Sequence, residues 1–179
     1  VGFIKGRHSA LHLRLFDDLT AYLNKTNKSG ALLALDFSKA FDTLSKSCIQ
    51  QSLKLFNFGP HFQKLVNTVI NKTESCVHNG GWLSEWFPTE RGVRQGCPTS
   101  PLLFDIFIDD LMEKMKPIEI PRLERGISGF CFADDTLLMG DSLKDIQDKI
   151  NILKKWTENN YMEVNAKKCG TISYYSEDN

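Results

Sequence analysis

The sequence predicts an α+β fold in which helices cover one face of a mixed or antiparallel sheet. Segments with apolar residues at helical spacing are separated by short apolar runs of strand length. Their order is helix, strand, helices, hairpin, helix and strands, without the regular alternation of a βαβ protein. A hydrophobic fraction of 41% and a charged fraction of 25% in 179 residues suit one globular core.

The first half opens with a helix, predicted over residues 9–24, in which leucines recur every fourth position behind Ser9 as cap. Residues 31–35 form an apolar run bounded by a turn, which predicts a strand buried on both faces. The remaining elements of this half are two helices and a hairpin, predicted at residues 43–57, 60–72 and 74–88. Asn79-Gly80 predicts the hairpin turn, because both central residues of a type I′ turn need positive φ.

The second half opens with Ser100-Pro101, a cap and first-turn proline that predict the start of a helix. The inner face of that helix is predicted to carry Leu103, Phe107, Leu111 and Met115. Ser142 with Asp145 resembles a capping box before another helix. The strands of this half are predicted at residues 127–133, 136–140, 161–165 and 170–175, the first two joined tightly through Asp134-Asp135.

Composition narrows the classes of protein. No run of about eighteen apolar residues and no leader is present, so we expect an intracellular protein, nuclear or cytoplasmic, with no membrane partner. Five cysteines without a CxxC pair indicate reduced thiols rather than zinc or disulfides.

Residues 1–100 carry 12 Lys/Arg against 7 Asp/Glu, and residues 101–179 carry 10 against 15. This asymmetry suits phosphate contacts and metal-binding carboxylates, although scatter over a solvated surface explains it equally well.

Two adjacent carboxylates, Asp134 and Asp135, lie at the tight turn between two apolar segments. Their repulsion turns them toward solvent or a cation, but an ordinary Asp-rich turn explains the pair as well. Asp36 shifts the balance, because it follows a buried strand, where an ionised Asp is seldom left unpaired. If that strand pairs beside the hairpin, Asp36 and Asp134 converge at one sheet edge.

Three carboxylates at one edge can hold two divalent cations about 3.5–4 Å apart, the arrangement used for in-line phosphoryl displacement. One ion lowers the pKa of an attacking hydroxyl, and the other neutralises the leaving pyrophosphate. Because the ligands are oxygens, we expect Mg²⁺, with Mn²⁺ as a substitute, rather than zinc.

The segment Gly92–Pro98 (GVRQGCP) contains glycines that let the backbone approach a ligand closely. Arg94 and Gln95 offer donors for a phosphate and for a base or sugar. Taken alone, a structural loop explains this segment equally well.

Together these segments resemble the reverse transcriptase family. Residues 35–42 (LDFSKAFD) resemble its motif A, residues 92–101 (GVRQGCPTSP) its motif B, and residues 132–135 (FADD) its motif C. Residues 165–169 (NAKKC) are similar to motif D, and residues 2–9 (GFIKGRHS) to the segment before motif A in non-LTR elements and group II intron proteins. Five motifs in the right order over nearly the whole chain are a very specific signal. The residues at the motif positions favour the non-LTR elements, with group II introns second.

The resemblance implies an α+β polymerase palm with a two-ion site. Asp36, Asp134 and Asp135 match the metal-binding aspartates of the family, with the Phe37 carbonyl as an extra ligand. The Tyr of the commonest motif C is Phe132 here, which keeps the ring and loses a hydroxyl. We expect little effect of that difference on metal binding.

Other matches concern the nucleotide and the template. Phe41 matches the aromatic steric gate beneath the sugar of the incoming nucleotide. Arg94, Gln95 and Gly96 fall in the nucleotide-binding motif, and Lys168 matches a lysine proposed to protonate pyrophosphate, although a solvated turn lysine is the alternative. Two residues before motif A are expected near the template or phosphates, namely Lys5 and Arg7.

The whole chain, residues 1–179, is therefore interpreted as one fingers–palm core cut from a longer polyprotein. Residues of about 1–30 and 60–95 are expected to be fingers-like, and residues 31–59 and 96–175 to form the palm. The thumb that usually follows motif D is expected to be absent from this fragment.

The implied activity is RNA-directed DNA polymerisation, with an RNA template, a DNA primer and dNTPs as partners. One alternative is a degenerate or domesticated palm that binds RNA or protein without catalysis. Another is an RNA-dependent RNA polymerase, which Phe41 disfavours because its ring would fill the space for a ribose hydroxyl. The sequence favours no particular oligomeric state.

Overall fold

The structure, a computed structural model, describes residues 9–120 and 124–174. Its helices are α1 (Ser9–Thr26), α2 (Ala40–Thr43), α3 (Lys46–Leu55), α4 (Pro60–Asn71), α5 (Ser100–Lys114) and α6 (Leu143–Asn160). Its strands are β1 (Gly30–Leu35), β2 (Glu74–Ser75), β3 (His78–Asn79), β4 (Trp82–Leu83), β5 (Phe87–Pro88), β6 (Gly129–Phe132), β7 (Asp135–Gly140) and β8 (Gly170–Tyr174). Among these helices none is long and apolar enough to cross a membrane.

The chain divides into two compact units. The first extends up to Ser38 and resumes at Ile108, and the second covers Lys39–Phe107. The boundary at Ser38 falls inside the segment 31–59 that the sequence assigns to the palm. The two compact units therefore do not coincide with the expected palm and fingers segments.

An antiparallel sheet with strand order β6-β7-β1-β8 forms the centre of the first unit. β1 pairs with β7 on one side and with β8 on the other, with Leu33 opposite Leu138 and Thr171 respectively. Leu32 and Leu33 point to opposite faces of the sheet, and both are buried. The predicted two-face burial of this strand is therefore confirmed, and helices supply its cover.

Helices α1 and α6 provide that cover. Leu19 of α1 packs in a cluster with Leu32, Phe130 and Met139 of the sheet. Helix α6 packs on β7 and β1 and begins at the predicted cap Ser142, whose Oγ accepts a hydrogen bond of 3.1 Å from the Asp145 amide. The Asp145 carboxylate lies against Lys149, so the structure shows the serine half of the predicted capping box.

A buried lysine of α6 pairs with an aspartate of the same helix and bonds to the sheet. Lys149 is 1% exposed, and its ammonium lies 3.1 Å from Asp145 and donates to the Met139 carbonyl. Removing one partner of such a pair leaves a charge without compensation, so each partner depends on the other.

The second unit consists of α2 to α4, the paired strands β2–β5 and β3–β4, and the first half of α5. Helices α3 and α4 pack on each other, and the Lys46 ammonium of α3 donates to Thr73 Oγ1 at 2.9 Å and to the Thr89 carbonyl. On the predicted inner face of α5, Leu103, Phe107 and Leu111 are buried, and so is Met115, the residue after the helix.

The hairpin turn differs from the prediction by one residue. Positive φ values of 57° and 89° fall on Gly80 and Gly81, whereas Asn79 ends β3 and pairs with Trp82. Glycine adopts positive φ without a Cβ penalty, so the glycine pair forms the turn in preference to Asn-Gly.

The strand predicted at residues 161–165 is not formed. Tyr161 ends α6 with a φ of 57°, and the segment after it makes an isolated bridge between Val164 and Phe37. The left-handed conformation of Tyr161 is incompatible with an extended strand at that residue, so the segment pairs only through the single bridge at Val164.

Candidate active site

Asp36 and Asp135 lie at the ends of two paired strands. The last pair of the β1–β7 register is Leu35 with Thr136, and Asp36 and Asp135 are the residues next to that pair in the chain. Both carboxylates line a cavity of about 630 Å³ in the first unit, and the Asp36 side chain is 24% exposed. The predicted pairing of the Asp36 strand beside the hairpin is therefore confirmed.

Asp134 lies in the turn between β6 and β7. Phe132 pairs with Asp135, so Ala133 and Asp134 form a two-residue connection. Ala133 has a φ of 55°, a conformation that costs an L-residue roughly 1–2 kcal/mol. Such strain persists where the surroundings impose it, and it is typical of functional sites.

The carbonyl of Phe37 is left available by the bridge to Val164. The hydrogen bonds of that bridge run from the Ser38 amide to Glu163 and from the Asn165 amide to Asp36, both at 2.8 Å. They pass on either side of Phe37, whose buried ring lies against Trp156 with ring centroids 6.3 Å apart. The ring thus anchors the backbone next to Asp36.

Lys168 approaches the same edge from motif D. Its ammonium lies 3.6 Å from Asp36 Oδ1, and its side chain is 68% exposed. A hydrogen bond of 2.9 Å from the Lys168 amide to the Asn165 carbonyl closes a turn. Because Asn165 also bonds the Asp36 carbonyl, the structure brings Lys168 and Asp36 together.

His12 also lines this cavity, a position that the sequence does not reveal. Its ring stacks on Phe130 with centroids 4.9 Å apart. Burial lowers the pKa of His12, which favours a neutral imidazole. The packing of α1 on the sheet, which local spacing cannot specify, creates this contact.

The aspartates do not form a closed three-carboxylate cluster. Within residues 9–120 and 124–174, no group of three or more His, Cys, Asp or Glu side chains is arranged to hold a metal ion. Asp36 and Asp135 line the same cavity, whereas Asp134, in the turn between β6 and β7, is not among its lining residues. The donor set nevertheless fits a hard cation, since carboxylates and a carbonyl are the ligands that Mg²⁺ and Mn²⁺ prefer.

The motif B residues lie in the second unit. Arg94, Gln95 and Gly96 are all exposed, and Gly96 has a φ of 79°. The loop is tied to the start of α5 by a bond of 2.8 Å from Ser100 Oγ to the Arg94 carbonyl. Gln95 Nε2 donates to Asp42 Oδ1 at 3.0 Å, so Asp42 is a partner to which the sequence assigned no role.

Phe41 lies in the same unit and is only half-buried. Its ring contacts the fully buried Phe104, with centroids 4.8 Å apart at 31°. Lys5 and Arg7 lie outside the described residues.

Comparison with known proteins agrees with the motifs. The family described as reverse transcriptase (RNA-dependent DNA polymerase) matches residues 1–177. The Pol polyprotein of the retrotransposable element R2DM of Drosophila melanogaster is 30% identical over 96% of this chain. The RNA-directed DNA polymerase of the mobile element jockey, also from Drosophila melanogaster, is 26% identical over 94% of it.

Solved structures with the same fold include telomerases. The truncated apo telomerase of Candida tropicalis matches 97% of this chain and 36% of its own, with a TM-score of 0.69 and 17% identity. The telomerase of Candida albicans matches 97% of this chain and 31% of its own, with a TM-score of 0.70 and 16% identity. At such identities the match concerns the fold alone.

The relatives are much longer than this chain, which spans 16% of the R2DM polyprotein and 19% of the jockey polymerase. The family match covers nearly every residue, and the similar proteins cited come from retrotransposable or mobile elements. The chain therefore belongs to the reverse transcriptase family.

Proposed function

We propose that this chain carries the catalytic core of an RNA-directed DNA polymerase, which adds dNTPs to a primer 3′-OH on an RNA template during retrotransposon copying. The observation that supports the proposal is the pairing of β1 with β7, which brings Asp36 and Asp135 to one cavity, next to the turn that contains Asp134. Membership of the reverse transcriptase family supports the same reaction.

The proposed cofactors are two Mg²⁺ ions, for which Mn²⁺ can substitute. Asp36, Asp134 and Asp135 would hold them, with the Phe37 carbonyl as a further ligand. Such a pair, when bound, activates the attacking hydroxyl and offsets the charge of the leaving group. Because both line one cavity at the ends of paired strands, Asp36 and Asp135 would offer anionic ligands there before a cation binds.

Lys168 is the proposed proton donor to the leaving pyrophosphate. Its ammonium stands beside Asp36 and is open to solvent, so a leaving group at that edge can reach it. The proton would pass from Nζ to a pyrophosphate oxygen. A solvated turn lysine without this role would tolerate Lys168→Ala with no loss of rate.

The residues of the second unit are proposed to act on the incoming nucleotide. The Phe41 ring would exclude a ribose 2′-hydroxyl by clash, which is discrimination by repulsion. Arg94 suits the phosphates because a guanidinium binds oxyanions through paired donors. Gln95 would contact the nucleotide through its amide, and Gly96 would allow close approach of the backbone.

The proposed partners are the RNA template, the DNA primer and dNTPs, with Lys5 and Arg7 near the template or phosphates. The proposed subdomains are a palm at residues 31–59 and 96–175 and fingers-like segments at residues 1–30 and 60–95.

A palm that binds RNA or protein without catalysis is the second candidate. The observation that favours it is the absence, in the described part of the chain, of a three-membered metal-binding group. An RNA-dependent RNA polymerase is disfavoured by the half-exposed ring of Phe41.

Primer extension separates these candidates. The purified chain is given oligo(dT) annealed to poly(rA), Mg²⁺ and either dTTP or UTP. The proposal predicts incorporation of dTTP, little use of UTP, and loss of activity in Asp36→Asn but not in Asp18→Asn, which neutralises an exposed carboxylate on α1. Nucleic-acid binding without dTTP incorporation would favour the second candidate.

A further inference from the structure

The loop that carries Gln95 is held by backbone pairing to the segment that follows Phe41. Because these contacts join main chain to main chain, they set the register between the two segments whatever the side chains. They are the Ser45–Arg91 bridge, the bond of 2.8 Å from the Gly92 amide to the Leu44 carbonyl, and the bond of 2.9 Å from the Val93 amide to the Phe41 carbonyl.

Gly92 makes this approach close. It has a φ of 82°, and a Cβ added there would lie 2.8 Å from the Asp42 carbonyl oxygen. The absence of a side chain thus lets the loop lie against the backbone of Asp42, and Gln95, three residues further along the loop, reaches the Asp42 side chain.

Asp42 then fixes the orientation of the Gln95 amide. Gln95 Nε2 lies 3.0 Å from Asp42 Oδ1. An ionised carboxylate only accepts hydrogen bonds, so the nitrogen of the amide must face Asp42 and the oxygen must face away. A free glutamine side chain samples both orientations, whereas this one presents one acceptor oxygen in a fixed direction.

The pair lies on the wall of a cavity of about 340 Å³. Arg91, Arg94 and Glu74 line the same cavity. The carboxylate of Asp42 would repel an anionic ligand there, so Asp42 is better suited to holding Gln95 than to touching a nucleotide itself.

We propose that Asp42 is a positioning residue, which holds the Gln95 amide in the orientation that meets the incoming nucleotide. This inference rests on the proposed function, since it takes Gln95 to be a nucleotide contact. Asp42 acts only through Gln95, so its loss weakens nucleotide use when Gln95 is present and has no further effect when Gln95 is absent.

The experiment has a structural and a kinetic arm. In the structural arm, the side-chain amide signals of Gln95 are recorded by ¹⁵N NMR in the parent chain, Asp42→Ala and Asp18→Ala. In the kinetic arm, dTTP incorporation on poly(rA)·oligo(dT) gives kcat and KM for the parent, Asp42→Ala, Gln95→Ala and the double variant.

We expect the Gln95 signals to move in Asp42→Ala and to stay in place in Asp18→Ala. The KM for dTTP should rise roughly 3- to 10-fold in Asp42→Ala with kcat changed less than about twofold, the factor expected for one net hydrogen bond. The double variant should match Gln95→Ala, because the two side chains act as one unit.

Three results would overturn the inference: unmoved Gln95 signals, additive effects in the double variant, or a fall in kcat with KM unchanged. If the parent chain incorporates no dTTP, the proposed function of this chain fails. The structural arm then still decides whether Asp42 orients Gln95.

Discussion

Asp36, directly after the end of β1, and Asp135, at the start of β7, line one cavity next to the strained turn at Ala133. Two carboxylates that share a site repel each other when both are ionised. The exposed Lys168 ammonium, 3.6 Å from Asp36, offsets part of that repulsion, and a bound divalent cation would offset more of it.

Replacing Ala133 with glycine should stabilise the chain. Ala133 has a φ of 55°, which glycine adopts without strain, although glycine gains entropy when the chain unfolds. We expect the free energy of unfolding to rise by about 0.5–1 kcal/mol in urea titrations. Ala133→Val should lower it, and a stabilising Val would contradict the left-handed turn.

Gly92 and Gly96 offer a matched pair of substitutions. Both have positive φ, 82° and 79°, but a Cβ at Gly92 meets the Asp42 carbonyl at 2.8 Å whereas the one at Gly96 meets nothing within 4 Å. Gly96→Ala should cost about 1–2 kcal/mol in the free energy of unfolding, from φ alone. Gly92→Ala should cost distinctly more, and equal losses would show that the loop is not pressed against α2.

Truncation of Phe41 distinguishes two roles for its ring, a steric gate for the sugar and a packing residue of the core. If its half-exposed ring limits the sugar, Phe41→Ala should raise the ratio of rNTP to dNTP insertion efficiency strongly while dNTP use changes less. If it acts only in packing against Phe104, truncation should mainly destabilise the fold, by about 3–5 kcal/mol. Single-nucleotide insertion and a melting curve on each variant distinguish the two. An unchanged ratio together with collapsed stability would reject the gate.

Cys97 should be an unusually reactive thiol. A hydrogen bond from Thr99, whose Oγ1 lies 3.1 Å from Cys97 Sγ, lowers the pKa of the Cys97 thiol below its ordinary value. Because the pKa is lowered, the thiolate forms at lower pH, and the pH profile of alkylation by iodoacetamide should shift downward. Thr99→Val should move the profile back upward. A profile in Thr99→Val identical to that of the parent would contradict this cause.

Local sequence signals account for most of the elements. The leucine spacing of α1, the apolar run of β1 and the Ser142 cap of α6 are local signals, and the structure confirms the two helices, the strand and the cap. Asn79-Gly80 predicts the turn one residue too early. Asn-Gly is a good turn signal in general, but this chain has a glycine pair one residue later, and the turn forms there.

In the candidate site, too, some features follow from local sequence and others from the fold. The motifs point to Asp36, Asp134 and Asp135 as candidate metal ligands, since the residue types and spacing carry the resemblance. Which two aspartates line one cavity depends on the β1–β7 pairing, and the Gln95–Asp42 bond joins residues 53 positions apart. No local pattern encodes a contact over such a distance, so these relationships emerge only from the fold.

The central claim, that the aspartate edge binds divalent cations, is tested most directly by titrating Mn²⁺ into the chain and counting free ion by electron paramagnetic resonance. Binding ions to the folded state also stabilises it, so melting in Mg²⁺ gives a parallel readout. The account predicts saturable binding and a raised melting temperature in the parent and in Asp18→Asn, and weaker binding with a smaller melting shift in Asp36→Asn, Asp134→Asn and Asp135→Asn. Equal Mn²⁺ affinity and an unchanged melting shift in those three variants would contradict the shared site.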